Sequence, residues 1–282
     1  MEKCYICPNR CGVDRERELG ACLCGTDPIV NRAALHFYEE PPISGTRGSG
    51  AIFFGGCVMR CEFCQNYRIS RKPSGKSYSP RELSELYKML EDSGAHNINF
   101  VSPTPWTEAI LASFKYYRPK APVVWNTSGY ETVETVERLA EYVDVWLPDF
   151  KYSDEALGRK LSGRKNYPET ALSAITKMRE LSVDSYSDGI MRSGLIVRHL
   201  VLPGYIENSF GVLDAINSSI GNRTVVSIMS QFTPTAESSI KRRLKPIEYK
   251  AVVRHAEKCG FENAFIQDEA SADSSYTPDF EV

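Results

Sequence analysis

From about residue 50 onward, short apolar runs rich in β-branched residues alternate with longer amphipathic stretches. Each run lasts four to eight residues and stops at a polar or glycine-containing cluster, the pattern of a buried strand bounded by turns. This predicts strands over 51–55, 97–101, 122–126, 143–148, 195–202, 225–229 and 264–267. Helices are predicted between them over 80–93, 106–117, 133–142, 169–181, 209–219 and 247–259. Ser79 before Pro80 suits a cap followed by a first-turn proline, and Gly260 after Cys259 suits a helix stop. Cys259 itself reads as a core residue on the apolar face of the last helix. Regular strand–helix alternation implies parallel strands joined by right-handed crossovers. Such a sheet can close as an eight-fold barrel, curl as a partial barrel or lie open. The count stops at seven strands, so the expected architecture is α/β, a partial barrel over 50–282. Upstream, paired prolines and glycines between Pro41 and Gly48 read as an irregular linker, set at 31–49. Residues 1–30 form a separate cysteine-rich segment.

Composition narrows the function classes. A 282-residue chain that is 42% hydrophobic and 11% aromatic can bury one large core. A net charge of −2 offers no general attraction for nucleic acid or an anionic membrane, so neither is expected as a partner. The basic run Lys241-Arg242-Arg243-Leu244-Lys245 reads as a solvated turn. No stretch of about 18 apolar residues occurs, and Met1 is followed by Glu2 and Lys3 instead of a signal peptide, so a cytoplasmic protein is expected. There, nine cysteines argue for metal ligation over disulfides.

Three of the nine set the chemistry. They stand in Gly55-Gly56-Cys57-Val58-Met59-Arg60-Cys61-Glu62-Phe63-Cys64-Gln65-Asn66, directly after the first barrel strand. Thiolates are the usual ligands of iron–sulfur clusters, and a set of three leaves the fourth iron of a 4Fe–4S cluster with an open position. The alternative is a zinc knuckle. Five more cysteines crowd the N-terminus, and Cys4, Cys7, Cys11 and Cys22, with Cys24 as a substitute, can form a four-thiolate site. Zinc and a second iron–sulfur cluster are both compatible with that set, and the segment has too few apolar residues to build a core alone. Ligands of parallel α/β folds gather at the carboxyl ends of the strands. Polar residues recur there: Ser102 and Thr104; Asn126 and Thr127; Asp149 and Lys151; Arg198 and His199; Gln231; then Gln267-Asp268-Glu269. His199, between apolar strand residues, reads as a structural hydrogen-bonding group before a proton relay.

The loop resembles the C-x3-C-x-aromatic-C signature of the radical S-adenosylmethionine (SAM) superfamily. Its continuation Cys64-Gln65-Asn66-Tyr67-Arg68-Ile69-Ser70 is similar to the branch of pyruvate formate-lyase activating enzyme. The cysteine-rich start, C-x2-C-P-x2-C and then Gly-x-Cys, resembles activase-like proteins of unassigned substrate. The resemblance implies a six-unit, incomplete (β/α)6-type TIM barrel. It also implies a cluster whose open iron chelates SAM, so that one electron cleaves the sulfonium to methionine and a 5′-deoxyadenosyl radical. Phe63 then lies near the adenine, Asn66 follows the last ligand, Thr127 and Asp149 lie near SAM, and Lys151 and Arg198 suit its carboxylate or ribose. Two departures stand out. Ser102-Pro103-Thr104 replaces the family's Gly-Gly-Glu, so backbone carbonyls or Thr104 must receive the SAM amino group. Asn126 and Gln231 replace an aspartate and a histidine.

Three functions compete on this reading. The first is a radical-generating oxidoreductase that abstracts hydrogen from a protein or peptide, in the manner of a glycyl radical enzyme activase, with a flavodoxin- or ferredoxin-type electron donor. The second keeps the chemistry and acts on a small molecule. The third is a non-catalytic iron–sulfur carrier or metal-binding adaptor, which would need no polar strand ends.

Overall fold

The computed structural model describes residues 3–164, 166–267 and 280; Asp268 and Glu269, expected at the end of the seventh strand, lie outside them. The chain opens with strand β1 (Ile29–His36), helix α1 (Pro41–Ser44), strand β2 (Ser49–Phe54), one-turn helix α2 (Tyr67–Ser70) and the short strand β3 (Lys76–Ser77). Helix α3 (Pro80–Asp92) leads into β4 (Ile98–Val101), α4 (Thr107–Ser113), β5 (Val123–Thr127), α5 (Val133–Leu139) and β6 (Val145–Pro148). Then come α6 (Glu155–Ser162), α7 (Tyr167–Glu180), β7 (Ser185–Ser187), β8 (Ile190–Leu200), α8 (Ile206–Ile220), β9 (Val225–Met229), α9 (Pro246–Lys258) and β10 (Ala264–Ile266).

The seven strands expected from the hydrophobic pattern are β2, β4, β5, β6, β8, β9 and β10, and they pair in parallel in chain order. The full order β10-β9-β8-β6-β5-β4-β2-β1-β3 has two free ends, so the sheet is an unclosed, partial barrel. Every residue of β4, β5 and β6 is buried, as parallel strands covered on both faces require. Ser79 caps α3 in a full capping box with Glu82, behind Pro80. Among the described residues, no helix is long and apolar enough to cross a membrane.

Three expectations need correction. The stretch read as an irregular linker contains α1 and most of β1, which pairs antiparallel with β2 and β3. It covers the edge of β2 and satisfies its backbone groups. Its half-buried pattern, with Asn31 and Arg32 in the middle, hides the strand from a hydrophobicity reading. Helix α6 was not expected. Asp154 caps it by accepting from the amides of Ala156 (2.6 Å) and Leu157 (3.2 Å), and left-handed Gly163 ends it. Cys259 is not core: it ends α9, half-buried, with its thiol 3.4 Å from Asp214 Oδ1.

Candidate active site

The loop after β2 is shaped by the residues around the cysteines. Gly56 has φ +82°, and a Cβ there would sit 2.1 Å from Cys24 Sγ, so only glycine fits. The Glu62 amide donates to the Leu161 carbonyl (2.9 Å), and the Arg71 guanidinium donates to the carbonyls of Arg60 and Cys61 (both 3.1 Å). Hydrogen-bond donors reach all three sulfurs: the Met59 amide to Cys57 (3.5 Å), Ser162 Oγ to Cys61 (3.0 Å) and Ser70 Oγ to Cys64 (3.4 Å). Phe63 is buried between Tyr152 and Phe232, with ring centroids 6.5 and 6.0 Å away.

The three cysteines line a cavity of about 210 Å³ at the carboxyl ends of the strands. Of the residues singled out in the sequence, Phe63, Asn66, Ser102, Asn126, Thr127, Asp149, Lys151, Arg198 and Gln231 line the same cavity. Thr104 does not. It is 2% exposed, and its hydroxyl donates to Glu131 Oε1 at 2.6 Å. Thr127 Oγ1 (2.6 Å) and Trp125 Nε1 (3.2 Å) donate to the same oxygen. Burial pushes the Glu131 carboxyl above its usual range, with the three donors opposing. His199 is also structural: Nδ1 donates to the Phe150 carbonyl (2.7 Å), which leaves Nε2 to accept from Ser209 (2.8 Å). Burial lowers its pKa to about 4, so it stays neutral.

A charge network floors the cavity. Asp149 pairs with Lys151 through Oδ2 and with Arg198 Nε through Oδ1 at 2.9 Å. Arg198 continues to Glu39 Oε2 (3.1 Å) and Asn126 Oδ1 (2.5 Å). Asn99 and Asn126 each donate to Glu39 Oε1 at 3.1 Å. Burial alone would raise the Asp149 carboxyl, but Arg198 and Lys151 hold it below the usual range. For Lys151 the same pairing outweighs desolvation, and its ammonium is held above the ordinary lysine value. Sequence reasoning missed Glu39, which lies 159 residues from Arg198.

The donor set fits an iron–sulfur cluster better than a lone ion. Tetrahedral zinc, with Zn–S near 2.3 Å, places its sulfurs about 3.8 Å apart. Among the described residues, three ligating atoms come within 4.8 Å of one another at Asp214, His255 and Cys259, not at Cys57, Cys61 and Cys64. Gln231 Oε1 is buried without a partner at the edge of the same cavity, as a group awaiting a polar ligand would be. Cys4, Cys7, Cys11 and Cys22 line a second, smaller cavity; Cys24 does not line it, but is buried beside Cys22 with its thiol 3.3 Å from the Cys22 carbonyl.

Residues 51–210 match the family model of the radical SAM superfamily. The chain belongs to that superfamily, and with it comes a 4Fe–4S cluster and SAM as the cofactors of an enzyme. It is 34% identical over 272 residues to an uncharacterized protein of Methanocaldococcus jannaschii, covering 92% of this chain and 75% of that one. A second uncharacterized protein of that organism is 26% identical over 161 residues, covering 49% and 46%. The fold is similar to the crystal structure of Streptococcus suis SuiB, at a TM-score of 0.52 and 14% identity over 75% of this chain and 47% of SuiB. It is also similar to a radical SAM methyltransferase from Sphaerobacter thermophilus, at 0.52 and 13% over 88% and 79%.

Proposed function

We propose that this radical SAM enzyme acts on a polypeptide, abstracting hydrogen from a protein or peptide in the manner of a glycyl radical enzyme activase. The observation that carries the reading is the unclosed barrel above the cavity that the three cysteines line. The free sheet ends leave a side through which a chain segment can approach.

When bound, the cluster and SAM supply one-electron cleavage of the sulfonium. Cys57, Cys61 and Cys64 hold the cluster, and the donors from Met59, Ser162 and Ser70 set the charge on their sulfurs. Burial pushes the Cys57 thiol up to about 12, so deprotonation there depends on the metal. Lys151 and Arg198 present cations for the SAM carboxylate, oriented by Asp149 and Glu39. The Ser102 region and Gln231 Oε1 offer oxygens for the SAM amino group, and Phe63 and Asn66 wall the site near the cluster. Residues 1–30 and the barrel from residue 50 act as two units, and a flavodoxin- or ferredoxin-type protein delivers the electron.

The test uses the reconstituted, reduced protein with SAM and candidate polypeptides carrying α-deuterated glycine. Deuterium in the deoxyadenosine released is expected with a true partner. Deuterium arriving only from labelled small metabolites would replace the polypeptide reading.

A further inference from the structure

Helices α8 and α9 bring together a carboxylate, an imidazole and a thiol far along the chain from the cysteine loop. His255 and Cys259 stand four residues apart at the end of α9, the spacing that places two side chains on one helix face. Asp214 faces them from α8, and Leu213, Val252 and Ala256 bury the contact between the two helices beside it. His255 Nε2 lies 2.8 Å from Asp214 Oδ1, and Cys259 Sγ lies 3.4 Å from the same oxygen. All three ligating atoms fall within 4.8 Å of one another.

An ordinary surface ion pair accounts for His255 and Asp214 but needs no thiol. It also does not need the support that α8 gives to each member. The His255 ring stacks on Phe210, with centroids 4.4 Å apart and planes at 20°, which fixes the imidazole plane. Asn217 Nδ2 donates to the Cys259 carbonyl at 3.2 Å, which holds the end of α9 in place. Phe210, Asp214 and Asn217 recur at the spacing of one face of α8, so a single helix face positions all three groups. With Zn–N and Zn–O near 2.1 Å and Zn–S near 2.3 Å, tetrahedral zinc sets N···O at about 3.3 Å and S···O at about 3.6 Å. The sulfur is thus about 0.2 Å from its place, and the imidazole must open by about 0.5 Å. Nitrogen, sulfur and oxygen together suit a borderline divalent ion such as zinc over magnesium or calcium. The side chains of His255 and Asp214 are 24 and 58% exposed, so an ion reaches them from solvent and keeps a water.

We propose that Asp214, His255 and Cys259 bind one divalent cation of the zinc class, with water as the fourth ligand, and that the ion fastens α9 to α8. Coordination deprotonates the thiol, and its proton leaves to solvent. After Cys259 the chain turns at Gly260 and enters β10 at Ala264, which puts the site at the amino ends of the strands, opposite the cysteine-lined cavity. That end of a barrel serves stability, so the ion is structural. Nothing in this inference depends on the radical SAM reading.

The test is equilibrium dialysis of the cluster-loaded protein against cobalt(II), a spectroscopic substitute for zinc, beside Cys259→Ser and His255→Gln. Cobalt held by any other cysteines is common to the three proteins and cancels in the comparison. The wild type is expected to take up about one more cobalt per chain than Cys259→Ser, with visible bands of tetrahedral cobalt that zinc abolishes. His255→Gln keeps the thiol and should weaken that binding by at least about tenfold, the lower end of what loss of even a supporting partner costs a metal site. Equal uptake by the wild type and Cys259→Ser, or an affinity unchanged in His255→Gln, overturns the proposal.

Discussion

Replacing Asp149 with asparagine keeps the shape of the side chain and removes the charge on which the cavity floor is balanced. Lys151 and Arg198 are opposed there by Asp149, Glu39 and the buried carboxyl of Glu40. Asp149→Asn removes one negative charge from beside side chains that are largely buried, Lys151 at 17% and Arg198 at 13% exposure. Removing one partner of a buried pair typically costs about 3–5 kcal/mol, and the cavity edge places this case near the lower end, about 3. Lys151→Met alone removes one positive charge. The double variant restores the original balance and should lose less stability than the sum of the two singles. A coupling of about 1–3 kcal/mol is expected for groups in direct contact. The assay is urea denaturation of the four proteins without SAM, with iron content matched. The same cycle has a pH signature. Because the Asp149 carboxyl is held below its ordinary range, its contribution is complete above that range and is lost as pH falls from there through the lowered folded-state value. Single-variant losses that add to within about 0.5 kcal/mol would refute the network, since that is the behaviour of independent sites.

Thr104→Val and Thr127→Val should each destabilise by about 1–3 kcal/mol, because each removes a donor from buried Glu131. Only Thr127→Val should also weaken SAM binding, measured by calorimetry, since Thr104 does not line the cavity; equal effects of the two would contradict the placement. His199 is neutral in the fold, with a pKa lowered to about 4, whereas the unfolded chain takes up its proton near pH 6.5. Stability from this group is therefore complete above about pH 6.5 and falls by up to about 3 kcal/mol on the way to pH 4. His199→Gln, compared with wild type across that range, should show the shallower loss, and identical slopes would exclude the assignment.

The parallel strands were legible because a strand buried on both faces is written as a short apolar run, as in Val123-Val124-Trp125 and Val145-Trp146-Leu147. Strand β1 was not, because a half-exposed strand, flanked on its outer side only by the two residues of β3, can carry Asn31 and Arg32. The signals of α6 were present in Asp154 and Gly163, but only eight residues long and with a stripe as thin as Leu157 and Leu161. At the site, the cysteine spacing and the strand ends named most of the cavity, since both are local. What failed was long-range. Glu39 gains its meaning only when Arg198, Asn99 and Asn126 converge on it. Thr104 lost its expected place because Glu131, four residues beyond Thr127, folds back to claim its hydroxyl.

The central claim is that the loop of Cys57, Cys61 and Cys64 makes this chain a SAM-cleaving enzyme. The direct measurement is methionine formed from SAM by the anaerobically reconstituted, chemically reduced protein, beside the Cys57→Ala/Cys61→Ala/Cys64→Ala variant with its N-terminal cysteines intact. The wild type should release methionine, and the variant should release none, whatever iron it still carries. Cleavage surviving in the variant, or absent from a wild type with its full complement of iron, would contradict the account.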